Sequence, residues 1–187
     1  MRKTLVLFAV SMCMLVSRFN LNAASLAGVN LPDTTVAGDK SLVLNGLGLR
    51  TEFMVKVYVA GLYLQNKSSD ASAIIKVDEP KRLVMQFLHD ASKKQMTDAF
   101  EQSFKDNAPA AEKTMKTDID GFLGALEDVK VGEQMIFTYV PATGTTLVIN
   151  GKNKLTTAGA PFSHVVFSVW LGPKPPTANL KKGILGQ

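Results

Sequence analysis

Residues 41–64 read SLVLNGLGLRTEFMVKVYVAGLYL, and this stretch decides the fold class. Strand-forming apolar residues dominate it, with one arginine (Arg50), one lysine (Lys56) and two tyrosines (Tyr58, Tyr63) among them. Within 53–64, Phe53, Val55, Val57 and Val59 alternate with Met54, Lys56, Tyr58, Ala60 and Leu62. Both sets are largely apolar, as in a strand covered on both faces. An unpaired charge is expensive in such surroundings, so Arg50 needs an anionic partner or access to water. Along one straight strand Arg50 and Tyr58 would stand about 26 Å apart, at roughly 3.3 Å per residue. They meet only if the chain turns or bulges between Gly48 and Phe53, and Gly46 and Gly48 make a bend cheap.

Upstream, residues 26–32 and 34–36 are short extended pieces broken by Pro32-Asp33 and Gly38-Asp39. Downstream, residues 70–76 suit either a short helix or an edge strand, and 82–89 (RLVMQFLH) read as a strand. Ser92 with Gln95 three residues on makes a capping-box start for a helix. Met96, Ala99, Phe100 and Phe104 form its apolar stripe, with Lys93, Lys94, Asp98, Glu101 and Lys105 facing out. After Pro109 a second helix is expected over about 111–126. Strands follow at 134–140 and 145–150, then at 152–156 beyond Asn150-Gly151, whose residues suit a type I′ turn. Pro161 opens a helix with a Phe162, Val165, Val166, Val169, Trp170 stripe, ended by Gly172-Pro173. A short helix over 178–185 closes the chain. Strands, a helix pair, more strands and a terminal helix make an α+β domain: one antiparallel sheet with helices packed on one face.

The 187 residues are 46% hydrophobic and 20% charged, an ordinary globular composition that predicts one domain. Residues 1–24 have another character. Arg2 and Lys3 precede an uncharged apolar run over 4–16, and Ala23, Ala24 and Ala27 follow, the layout of a secretory signal peptide cut between about 23 and 27. The run is short of the roughly 20 residues that cross a bilayer. An uncleaved anchor is the alternative, and would be the chain's one contact with a membrane. Export implies a periplasmic mature domain over 25–187. It also removes Cys13, the single cysteine, and with it any disulfide or thiolate metal site. Losing Arg2, Lys3 and Arg18 without any acid lowers the net charge from +5 to +2. That charge, with no basic patch interleaved with aromatics, gives no case for nucleic acid. His89 and His164 lack acids at metal-ligand spacing, and there is no phosphate loop or nucleophile motif. No metal, cofactor or catalytic residue is expected.

Three stretches together, LNGLGLRTEFMVKVYVAGLYL (44–64), LVMQFLHDASKKQMTDAFEQSF (83–104) and FSVWLGPKPP (167–176), resemble the bacterial chalcone isomerase-like proteins. The similarity spans nearly all of the mature chain. It implies an open-faced β-sandwich, a large antiparallel sheet with a layer of helices. In the plant isomerases of this superfamily an arginine holds the substrate phenolate, and hydroxyls and water polarise the ketone. In the fatty-acid-binding members the same arginine and a nearby tyrosine hold a carboxylate. By the resemblance, Arg50 in GLGLR matches the arginine and Tyr58 in KVYVAGLYL looks like the fatty-acid binders' tyrosine. The isomerases' helix tyrosine and asparagine fall on Ser92 and Ala99, and the family hydroxyl near the last helix on Thr156, Thr157 or Ser163.

Arg50 and Tyr58 are therefore the candidate ligand-binding residues, with Lys56 and Thr157 as further candidates. A planar fork of guanidinium donors suits a carboxylate or phenolate. The expected ligand is a small amphipathic anion such as a fatty acid, held without catalysis. One alternative is an isomerase that cyclises a chalcone-like conjugated ketone by positioning and charge stabilisation alone. Another is an envelope interaction protein whose Arg50 is paired internally, with Glu52 or Asp90, and which has no small-molecule site.

Overall fold

A computed structural model describes residues 23–187; the expected leader lies outside them except for Ala23 and Ala24, which open the first strand. The elements in order are β1 (Ala23–Leu26), β2 (Val29–Pro32), β3 (Thr34–Ala37), β4 (Lys40–Glu52), β5 (Val55–Leu64), α1 (Ala71–Lys76), β6 (Lys81–Phe87), α2 (Lys93–Asn107), α3 (Ala111–Thr114), α4 (Lys116–Ala125), β7 (Gln134–Val140), β8 (Gly144–Ile149), β9 (Lys152–Thr157), α5 (Ala160–Leu171) and α6 (Ala178–Ile184). Strands β3 to β9 form one antiparallel sheet in sequence order, with the helices on one side. Strands β1 and β2 make a separate hairpin.

The two faces of β5 carry the two halves of the core. Tyr58, Ala60 and Leu62 meet Phe100 of α2, Phe122 of α4 and Trp170 of α5. Val59 and Tyr63 meet Val29 and Leu31 of the β1–β2 hairpin, and the Tyr63 hydroxyl donates to the Pro32 carbonyl at 2.9 Å. The double apolar pattern of 53–64 thus reflects helices on one side and a hairpin on the other.

Local signals produce local structure as expected. Ser92 and Gln95 form the capping box at the start of α2. Asn150 and Gly151 make the β8–β9 turn with φ of 49° and 75°. Residues 70–76 resolve to α1, with the Asp70 carboxylate accepting from the Ser72 and Ala73 amides. The helix expected over 111–126 divides at Met115, whose φ of −130° separates α3 from α4.

One departure is larger. Glu52 pairs with Val55, so Phe53 and Met54 are the two turn residues between β4 and β5, not the start of a strand. Both have positive φ, 45° and 65°, as a type I′ turn requires. Bulky side chains adopt that region at a cost of about 1–2 kcal/mol each. Gly46 and Gly48 also take a different role from the expected bend. They let α6 lie directly against β4, while the register shifts fall beside them, between Leu44 and Gly46 and between Arg50 and Thr51.

Candidate ligand-binding site

Because β4 and β5 turn back on each other at Phe53–Met54, Arg50 and Tyr58 become direct cross-strand partners. Opposed residues of an antiparallel pair hold their Cβ atoms about 5 Å apart. The Arg50 guanidinium carbon lies 5.9 Å from the Tyr58 ring centroid, a cation–π contact. The eight-residue separation that would keep them apart on one strand is what brings them together in a hairpin.

Both residues line a cavity of about 790 Å³ between the sheet and α2. Met85 and Phe87 of β6, Met96 and Phe100 of α2, and Trp170 of α5 give it an apolar interior, and Pro175 and Pro176 also line it. The size falls within the range of small-molecule pockets, and a few polar groups against apolar walls are their usual make-up.

Arg50 is partly matched inside the chain. Its Nη2 donates to Glu52 Oε2 at 2.8 Å, as the internal-pairing alternative expects, but Glu52 is half exposed. The Arg50 Nε is buried and has no acceptor among the described residues. An ion pair at the surface contributes about 0–1 kcal/mol, and a buried donor left unpaired costs about 1–3 kcal/mol. Glu52 takes one of the several guanidinium donors, so Arg50, which lines the cavity, has others with which to meet a second anion. Asp90, the other acid considered for Arg50, instead accepts from the Val131 amide at 2.9 Å and from Lys130 Nζ at 3.2 Å.

Tyr58 is buried, and its oxygen accepts from Trp170 Nε1 at 3.1 Å. Burial pushes its phenol above the ordinary range, against the pull of the Arg50 charge and the Trp170 N–H. The hydroxyl thus keeps its proton at neutral pH and can donate it to an anion. Tyr58→Phe should cost about 1–2 kcal/mol of stability, because the Trp170 N–H loses its acceptor. Urea unfolding measures this, and a variant as stable as the parent would show that the bond contributes nothing.

Lys56 is exposed on β5 and Thr157 is buried at the end of β9; neither lines the cavity. Ala99 of α2 does line it, contributing no polar group. The Ser92 hydroxyl is engaged at the N-terminus of α2, where it accepts from the Gln95 amide at 3.2 Å. Sequence reasoning assigned Trp170, Met96 and Phe100 to core stripes. They do pack in the core, but they also wall the cavity, and helical spacing carries no signal of that second role.

Residues 23–186 match the sequence profile of the chalcone isomerase-like family. The chain belongs to that family. Chalcone isomerase-like architecture also appears in a solved structure, the crystal structure of an Arabidopsis thaliana fatty-acid binding protein. That structure is 13% identical in sequence, with a TM-score of 0.69, over 88% of this chain and 96% of the other. At that identity the likeness concerns the fold. No curated protein matches the sequence. Among the described residues, no three His, Cys, Asp or Glu side chains gather as a potential metal site, and no helix is long and apolar enough to cross a membrane.

Proposed function

We propose that this chalcone isomerase-like chain is a non-catalytic binder of a small amphipathic anion, a fatty acid being the simplest candidate. The observation that carries the reading is Arg50 on the wall of a largely apolar cavity, with Glu52 taking one of its guanidinium donors. A carboxylate fits the open side of the guanidinium, Tyr58 adds one hydrogen bond, and an acyl chain lies against Met85, Phe87, Met96 and Phe100. The likeness of fold to a fatty-acid binding protein supports the same choice. Ketone polarisation, which an isomerase needs, finds no donor at Ala99. Export through residues 1–24 to a periplasm-like compartment is part of the proposal, supported by the charge and hydropathy pattern of that segment.

Mass spectrometry of the organic extract of purified protein should recover an acyl acid. Titration with a fluorescent fatty acid should give an affinity that Arg50→Ala lowers about ten- to a hundredfold, the effect of stranding one partner of a charged pair. Glu52→Gln should raise affinity, since it frees the guanidinium from its internal competitor. An empty extract together with unchanged affinity in Arg50→Ala would sink the reading.

A further inference from the structure

The β4–β5 turn presents two large apolar side chains to solvent, Phe53 at 92% and Met54 at 95% exposure. Of the six exposed large hydrophobic residues among those described, Phe53, Met54, Val55 and Val131 stand at the same end of the sheet. Hydrogen bonds hold the loops of that end together: the Leu88 amide donates to the Val57 carbonyl, the Gly132 amide to the Phe87 carbonyl, and the Val131 amide to Asp90. The turn is also costly. Asn-Gly would adopt positive φ freely, whereas Phe-Met does so under strain, and within the fold these two side chains gain nothing from burial.

Three features select the occupant of this tip. It is a protrusion two residues wide, far smaller than the roughly 800 Å² per partner of a stable protein interface. Lys56 is exposed two residues from the turn and in no ion pair among the described residues, while the acid at the turn, Glu52, is paired with Arg50, so the unmatched charge beside the tip is positive. Phe53 and Val55 also line the cavity that holds Arg50, so the tip is continuous with the cavity mouth.

We propose that the Phe53–Met54 tip inserts into a lipid surface and sets the cavity mouth against it. The part played by transfer rests on the binder reading above: an acyl anion would pass between bilayer and Arg50 without crossing water. Aromatic and aliphatic side chains enter the headgroup–acyl boundary readily, and a neighbouring cation adds attraction to anionic lipid.

Two variants test this. Phe53→Trp places an indole at the tip, in a chain whose one native tryptophan, Trp170, is buried. With vesicles of phosphatidylethanolamine and phosphatidylglycerol, its emission should shift to the blue and be quenched by brominated acyl chains. Emission that stays red and unquenched overturns the proposal, and self-association or protein capture in its place counts equally against it. Phe53→Asn with Met54→Gly removes the apolar tip while relaxing the turn, so folding is preserved. Transfer of an anthroyloxy fatty acid from the parent protein should quicken as vesicle concentration rises. In the double variant it should slow about tenfold or more and lose that dependence. Equal rates and equal dependence in both proteins overturn the insertion. Quenching of Phe53→Trp with no fatty-acid uptake by any form upholds the insertion and removes only the fatty-acid-binder reading.

Discussion

Replacing Lys81 by methionine is expected to destabilise the protein by about 3–5 kcal/mol in urea unfolding. Lys81 is the first residue of β6, yet its side chain runs inward and the residue is 1% exposed. Its ammonium donates to the carbonyls of Ile74, Ile75 and Val77 at 2.7, 3.1 and 2.9 Å, at the C-terminal end of α1. Those are carbonyls that a helix end leaves without partners, and they carry the negative end of the helix dipole. The rings of Tyr139 and Phe167 flank the charge at 5.5 and 5.6 Å. Methionine fills much the same volume but strips the ammonium from one buried carbonyl, that of Ile74, and from the part-buried carbonyls of Ile75 and Val77.

The same residue makes stability depend on pH. Burial lowers the Lys81 pKa from 10.5 to about 8, opposed by the charges of Asp78 and Glu79. Between those values the unfolded chain holds a proton that the folded chain has released, so stability rises with pH across the window. From pH 8 to 10 the rise is about 2 kcal/mol at most. Tyr63 and Tyr139 set the upper limit of the measurement. Burial pushes both phenols up to about 12, so their contribution is whole below pH 10 and is lost as pH climbs from there. Lys81→Met should therefore be less stable than the parent and flat between pH 8 and 10. A variant with the parent's midpoint and pH profile would show that the carbonyl cage contributes little.

Gly48→Val is expected to detach α6 and cost about 3–4 kcal/mol, the second large effect. A Cβ at Gly48 would overlap the Leu180 carbonyl oxygen, one at Gly46 the Gly183 carbonyl oxygen, and one at Gly183 the Leu47 carbonyl oxygen. Helix and strand backbones thus touch without intervening side chains, and backbone cannot rotate out of the way. Detachment exposes Leu180, Ile184 and Leu185, all buried in the native structure. It also breaks the bond from Asn45 Nδ2 to the Ile184 carbonyl at 2.8 Å. Under native conditions trypsin should then cut after Lys181 or Lys182 in the variant and spare the parent. Equal resistance in both would mean that the strand accommodates the valine and α6 stays in place.

Residues of one type came out of the sequence with different success, and the difference is physical. Asn150-Gly151 was legible as a turn because its residues favour the conformation that the turn needs. Phe53–Met54 adopts positive φ at both positions too, but its residues disfavour it, so 53–64 read as strand and the pattern placed a turn or bulge only between Gly48 and Phe53. Glycines divide similarly. Gly151 serves its own φ, whereas Gly48 serves a helix, α6, that begins only at Ala178. Arg50 and Tyr58 could be singled out by the cost of burying a cation and by resemblance. That they stand opposite each other follows from the turn and from the register shift between Arg50 and Thr51, which leaves Val57 as the extra residue on β5.

By itself the sequence determined the α+β class, the order of the later strands and helices from β6 on apart from the α3–α4 break, the helix starts near Ser92 and Pro161, and the need for a partner at Arg50. Those properties arise from neighbours within a few residues, or from the price of charge in apolar surroundings. Tertiary structure alone decided the cavity, the buried ammonium of Lys81, the seating of α6 on β4 and the second role of Trp170. Each of these depends on groups far apart in the chain meeting at specific distances, and periodicity along a single strand or helix carries no record of such meetings.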